Sequence, residues 1–531
     1  MGRCGDHVEF LRHPVWRPRS SLCCSMFCFA LLVLANVSIA QLNHIEMAAN
    51  LLSKGQIGQA EVEARQALGK PSTRALALAM LGTIRLQEGK YVESIGFLKR
   101  ALAVNPQLFG AQTNLGNAYL LQGQPDLARR SFQQALSIEP GNLNARFGWA
   151  QAEASLHNYR QSLEVADPIV PQLSESDEGI LLLATDYGEL GRMEELKSLV
   201  VNWRMSTPSD ESSLEFANIL IKYRAVLEAK EVLEGEETRI AAHPSSTLGL
   251  KLGEAYLSLR VFDRAEQNFQ RALDLDPACG PCGRNLAAIA ERQGNTEKAL
   301  AYLVKAKQQA PEDPETLFEF GKVCLQRNLL DDALPALAKA VSLKPDHDPY
   351  VYVLASANVA KGNLPKASSL LKGLQQRHPQ DAVLNYALGA VYYLQGKYAE
   401  AESSLRQSLQ TQSDQVAASY YLGLTYDAVG QEDRAVAVFR DLVKSHPQHA
   451  PTYVKLGGIL LRQHQYDEAQ QDLERAVSLD PRSVEAHYQL GLLLRRLGKI
   501  TESESQLAES RKLESERSAQ ADMRLRLLPP D

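Results

Sequence analysis

Cysteine is scarce in this chain of 531 residues, with seven in all, and four of them (Cys4, Cys23, Cys24, Cys28) fall in the first stretch of sequence. Cys279, Cys282 and Cys324 are the only others, too few for a disulfide framework. Runs of β-branched residues are short, so no strand pattern exists to carry a glycine-rich phosphate loop or a βαβ unit. There is no block of Lys and Arg, and the formal net charge is -6. Nucleic-acid binding, which needs clustered cations against phosphate, is therefore not expected. The eleven histidines do not cluster, and no His-x-x-x-His or Glu-x-x-His pair appears at metal-ligand spacing. No metal site and no cofactor are expected, and no Ser/His/Asp set has a second domain to hold it. What the chain has in abundance is Leu, Ala, Gln, Glu and Arg from end to end, a mixture that favours helix.

The first forty residues are different in kind. Arg3, Arg12, Arg17 and Arg19 precede an apolar run from Leu22 to Ala40, which ends Val37-Ser38-Ile39-Ala40-Gln41. Small Ser38 and Ala40 stand where a signal peptidase reads, so residues 1–40 are expected to be a secretory signal and the protein to be exported, periplasmic or extracellular. The alternative is an uncleaved anchor of residues 22–40, the one route by which the chain would touch a membrane. A start at Met26 would keep the apolar core and lose the basic residues.

A period of 34 residues governs the rest. Gly253, Ala287, Gly321, Ala355, Gly389, Gly423, Gly457 and Gly491 are all small, as are Ala48, Gly82, Gly116, Ala150 and Ala184 upstream. The one slip, 69 residues from Ala184 to Gly253, is absorbed by a degenerate unit centred on Ala217. Twelve residues after the small residue an alanine recurs, as at Ala60, Ala128, Ala265, Ala299 and Ala435. Small residues at both places let two helices of a hairpin approach closely. Seven residues after the small residue stand Gly55, Gly89, Gly123, Gly191, Gly294, Gly362, Gly396, Gly430 and Gly498, suited to the left-handed residue that ends a helix. Asn328 and His464 take the same place. Prolines such as Pro106, Pro140, Pro277, Pro345 and Pro481 close the units.

These small, small, glycine and proline positions resemble the tetratricopeptide repeat family, whose unit is a 34-residue helix-turn-helix. The resemblance covers nearly all of the chain after Gln41, about fourteen units. It implies an all-α fold, a right-handed superhelical solenoid. The expected divisions are an N-terminal block 41–142, a degenerate joint 143–245, a C-terminal block 246–517 and a tail 518–531. In the joint, Pro168 and Pro171 interrupt a second helix and Ser174-Glu175-Ser176-Asp177 is polar. The family binds peptide or protein segments in a concave groove lined by the first helix of each unit. Three residues before the small residue, the groove-facing series reads Phe318, Tyr352, Tyr386, Tyr420, Val454 and Tyr488. Tyrosine rings offer flat apolar faces with hydroxyls, suited to extended peptides and also to sugars. The basic clamp that some members use for a C-terminal carboxylate is not expected, because Asn114 and Asn117 in one unit and Arg284 with Asn285 in another lack basic partners.

Cys279-Gly280-Pro281-Cys282 has the four residues of a thioredoxin active site. It lies at a hairpin junction just after Pro277 with no βαβ pattern around it, so it is expected to be a loop disulfide or a pair of loop thiols. The expected function is a non-enzymatic scaffold for a protein or peptide partner, serving envelope assembly or export. A thiol-disulfide protein using Cys279 and Cys282 is the second reading, and a membrane-anchored assembly factor the third.

Overall fold

A computed structural model describes residues 39–206 and 208–519, so nearly all of the expected signal segment 1–40 and of the expected tail 518–531 lies outside the described residues. The described residues form fourteen helical hairpins and no strand. They divide into two units, within Met1–Ala272 and Leu273–Asp531, and the division falls inside the helix Phe262–Leu275. In the first unit, Arg74–Gln87 pairs with Tyr91–Val104 and Phe109–Leu121 with Pro125–Ile138. In the second, Ala382–Leu394 pairs with Tyr398–Thr411 and Val416–Ala428 with Glu432–Ser445.

Each hairpin turn has one solution. Every glycine in the seventh place has a positive φ, from +69° at Gly191 to +83° at Gly362. The turn at Gly89 shows why. The Gly89 N–H donates to Leu86 O at 3.1 Å and the Lys90 N–H to Arg85 O at 2.9 Å, which satisfies two carbonyls the helix end would otherwise strand. Asn328 and His464 adopt the same conformation, as do His157, Arg224 and Arg260, which the sequence pattern did not single out. His157 and His464 each bond a tyrosine two residues on, Tyr159 at 2.7 Å and Tyr466 at 2.8 Å. These two histidines are thus turn residues. The proline that closes a unit sits two residues past the helix end, and the residue between is extended, as at Asn105 (φ -140°, ψ 98°). A residue before proline is kept out of the helical region by the proline ring.

In most hairpins the core is a contact between the first small residue and a bulky residue sixteen positions later, although Ala48 and Ala150 have Ala64 and Ala166 at that spacing. A methyl group on Gly423 would lie 2.3 Å from the Phe439 ring, and one on Gly389 would lie 2.6 Å from Leu405. Phe132, Phe269 and Phe439 all face glycine, whereas Ala287 and Ala355 are followed at this spacing by the smaller Leu303 and Leu371. The recurrent alanine in the twelfth place is fully buried wherever it occurs. Where serine replaces it, the buried hydroxyl donates to the carbonyl of the small residue: Ser94 to Gly82 at 2.8 Å, Ser162 to Ala150 at 2.9 Å and Ser503 to Gly491 at 2.7 Å. A buried polar atom is thereby satisfied without widening the hairpin.

The stretch 143–245 lies within the first unit and departs from the pattern. Its first hairpin has a second helix in pieces: Tyr159–Ala166, a single 3₁₀ turn Asp167–Ile169, then Val170–Leu173. Pro168 and Pro171 lack the N–H groups that a continuous helix would use there. Further on, the second helices depart from the 14 residues of a regular one such as Tyr398–Thr411: Met193–Met205 has 13 and Val226–Ala242 has 17, and the slip in the period falls across these two hairpins.

Candidate functional site

The residue three before the small residue lies nearly one helical turn back from it and so beside the seam, where Tyr420 meets the Phe439 ring of its own second helix at 5.9 Å. In the second unit this places Tyr352, Tyr386 and Tyr420 on successive first helices, each half-buried. Packing then joins them to two tyrosines that the sequence reading missed. Tyr421 meets Tyr386 edge-on with ring centres 6.0 Å apart, Tyr393 at 5.5 Å and Tyr420 at 6.1 Å. Such edge-to-face pairs contribute about 0.5–1.5 kcal/mol each beyond their buried area. Tyr352 packs in the same apolar cluster as Tyr386 and Tyr421. Tyr420 also meets the His449 ring at 5.4 Å. A signal for Tyr393 was present, since seven residues from Tyr386 is two helical turns and returns to the same face.

The other members of the series stand apart. Phe318 stacks on Tyr350, with ring centres 4.5 Å apart and planes 19° from parallel. Val454 is buried in a small apolar cluster. Tyr488 is 47% exposed and makes no ring contact among the described residues.

The electrostatics of the tyrosine face are simple. Burial pushes the hydroxyls of Tyr352, Tyr386, Tyr393, Tyr420 and Tyr421 above the usual phenol range, so all five stay protonated. None of these hydroxyls has a hydrogen-bond partner among the described residues, and none is sealed from solvent. Of the nearby charges, Lys455 pairs with Glu485 at 2.5 Å and Arg462 with Asp427 and, at 2.8 Å, with Glu432, while Asp381 beside Tyr352 caps its helix by accepting from the Leu384 N–H at 3.0 Å. The face therefore offers apolar walls and unused O–H donors with little net charge.

Cys279 and Cys282 are disulfide-bonded in the structure. Cys279 caps the helix Gly280–Arg292, its sulfur accepting from the Cys282 N–H at 3.3 Å. Cys279 is only 9% exposed and Cys282 is fully buried. Cys324 is a free, buried cysteine whose thiol is pushed up to about 11 by burial. Among the described residues, no cluster of His, Cys, Asp and Glu could hold a metal ion, and no helix is long and apolar enough to cross a membrane.

Helical hairpins stacked on a 34-residue period, with a small-residue seam and a left-handed turn in each, define an α-solenoid repeat protein. The comparisons with known families name the repeat. Tetratricopeptide repeat models match residues 111–142, 250–314, 392–456 and 454–513. A model of the middle tetratricopeptide-like domain of cilia and flagella-associated protein 70 matches 283–412. The chain is a multi-repeat member of the tetratricopeptide family. Among curated proteins it is similar to the protein CTR9 homolog of Arabidopsis thaliana, 23% identical over 52% of this chain and 26% of that protein. It is also similar to the human protein O-mannosyl-transferase TMTC1, 32% identical over 22% of this chain and 14% of that one. A tetratricopeptide repeat and J domain-containing co-chaperone of Cryptococcus neoformans, DNJ1, is 24% identical over 41% of this chain and 44% of its own length. The chain thus spans less than half of each of these relatives. Among solved structures, the APC/C hetero-tetramer Cut9-Hcn1 covers 90% of this chain and 99% of its own at 14% identity, with a TM-score of 0.39. Naa15/Naa10 bound to HypK covers 90% and 94% at 14% identity, with a TM-score of 0.33.

Proposed function

We propose that this chain is a scaffold that holds an extended segment of a protein partner against the tyrosine face of the hairpins spanning 348–445. One observation carries the reading. Five half-buried tyrosines on three successive hairpins bond no group of the described residues through their hydroxyls, which stay open to solvent and so to a partner. An extended peptide matches that surface, because its carbonyls accept from the hydroxyls while its side chains lie on the ring faces. The low net charge of the face favours a neutral segment over a strongly acidic or basic one. Replacing both Tyr386 and Tyr420 by Ala should weaken capture by about 2–4 kcal/mol, since buried aromatic anchors dominate interfaces. Unchanged affinity with the helices intact would remove the tyrosine face from the account.

We further propose that the protein is exported, works in envelope assembly or export, and is not an enzyme. The signal layout of residues 1–40 supports the first. A thiol-disulfide enzyme must present a sulfur to its substrate, and neither Cys279 nor Cys282 is open to one.

A further inference from the structure

Two residues after the small residue, a first helix presents its inner face. That place holds Ile84, Ala118 and Ala152 in the first unit and Ile289, Val323 and Val391 in the second. In the fifth hairpin it holds Asp186, the one ionisable residue in the whole series. Asp186 is fully buried, and neither carboxylate oxygen has a hydrogen-bond partner. Five segments pack around its helix, Asp177–Glu189, and none brings a cation to it. From Tyr159–Ala166 come Tyr159 and Ser162, whose hydroxyl donates to the Ala150 carbonyl and, lying beside Asp186, offsets its burial only in part. From Leu143–Ser155 comes Glu153, which accepts from Trp149 and Asn158. From Asp210–Lys222 comes Lys222, which is bound to Glu189 at 2.8 Å. Met193–Met205 and Val170–Leu173 bury only apolar residues here, and Tyr187 is the remaining titratable neighbour on the same helix.

We propose that the fifth hairpin, residues 177–205, is a pH-gated joint, closed while Asp186 is neutral and opening when its carboxyl ionises. A carboxylate in this core has no cation to compensate it, so the hairpin must admit water to it or keep it protonated. Its neighbour is the hairpin that Pro168 and Pro171 break, which lowers the cost of local opening. Burial raises the carboxyl to about 7 from an ordinary 3.8. The sign follows directly. The closed form holds the proton more tightly, so the joint is most stable on the acid side and loses stability as pH rises from about 4 to about 7. Those two values set an opening equilibrium about a hundred-fold larger at pH 8.5 than at pH 5.

Hydrogen exchange of the full chain at these two pH values, corrected for intrinsic rates, tests this. Protection across 177–205 should fall about a hundred-fold in the natural protein and stay level in Asp186→Val, while 382–411 stays level in both. Asp186→Asn serves if the valine variant does not fold. Level protection in the natural protein would overturn the proposal, and so would an equal fall in the variants, since another group would then be responsible.

Discussion

Gly457 and Gly458 are neighbours on the helix Ala450–Arg462, and the structure assigns them opposite responses to a single methyl group. A Cβ on Gly457 would stand 2.6 Å from Leu473 Cγ and 3.3 Å from the Ala469 carbonyl oxygen. Carbon atoms in contact need about 3.5–4.0 Å, so Leu473, fully buried, would have to move by roughly an ångström. Overpacking of that kind costs about 1–3 kcal/mol. A Cβ on Gly458 meets nothing nearer than the Gln489 side chain at 3.7 Å, an ordinary contact. Both substitutions gain about 1 kcal/mol of helix propensity. Gly458→Ala should therefore stabilise by about 0.5–1 kcal/mol, and Gly457→Ala should fall about 1–3 kcal/mol below it. Because stability in a repeat array is a sum of local terms, hydrogen exchange of 450–479 is the suitable assay. The two variants shifting protection equally, in either direction, would refute the seam as the contact that sets hairpin spacing.

Cys324 should resist alkylation at pH 8 in the folded protein and react fully in denaturant, because burial both shields the thiol and holds it protonated. Insulin reduction by the full chain should stay at background, and turnover dependent on Cys279 would restore the thiol-disulfide reading. Mass spectrometry of the mature protein should find a chain beginning at Gln41, whereas an intact leader would favour the anchor of residues 22–40.

The fold was legible because its signal repeats. One glycine in a helical pattern says little, but nine standing seven residues after a periodic small residue identify a left-handed turn, and all nine adopt it. The same phase explains why His157, Arg224 and Arg260 are forced into that conformation, although nothing about His or Arg announces it. The bulky residue opposite most of the small ones was harder to see. Leu, Phe and Val are common throughout, so the sixteen-residue spacing emerges only once Phe439 is found against Gly423. Tyr352, Tyr386 and Tyr420 were visible as a periodic series, but their association through Tyr421 was not. Tyr421 lies one residue out of phase, and its contacts with Tyr386 and Tyr393 depend on how one hairpin leans on the next. Phe318 and Tyr488 show the converse, since a shared phase put them in the series and local packing keeps them out of the cluster.

The central claim is that the tyrosine face holds a protein partner. A photo-crosslinking residue at Leu394, 41% exposed and next to Tyr393, tests it in the native source, with one at Val92, 71% exposed in the first unit, as control. The account predicts a discrete crosslinked partner from position 394 that disappears when Tyr386 and Tyr420 are replaced by Ala, and none from position 92. The same products from both positions, or products that survive loss of the two tyrosines, would contradict it.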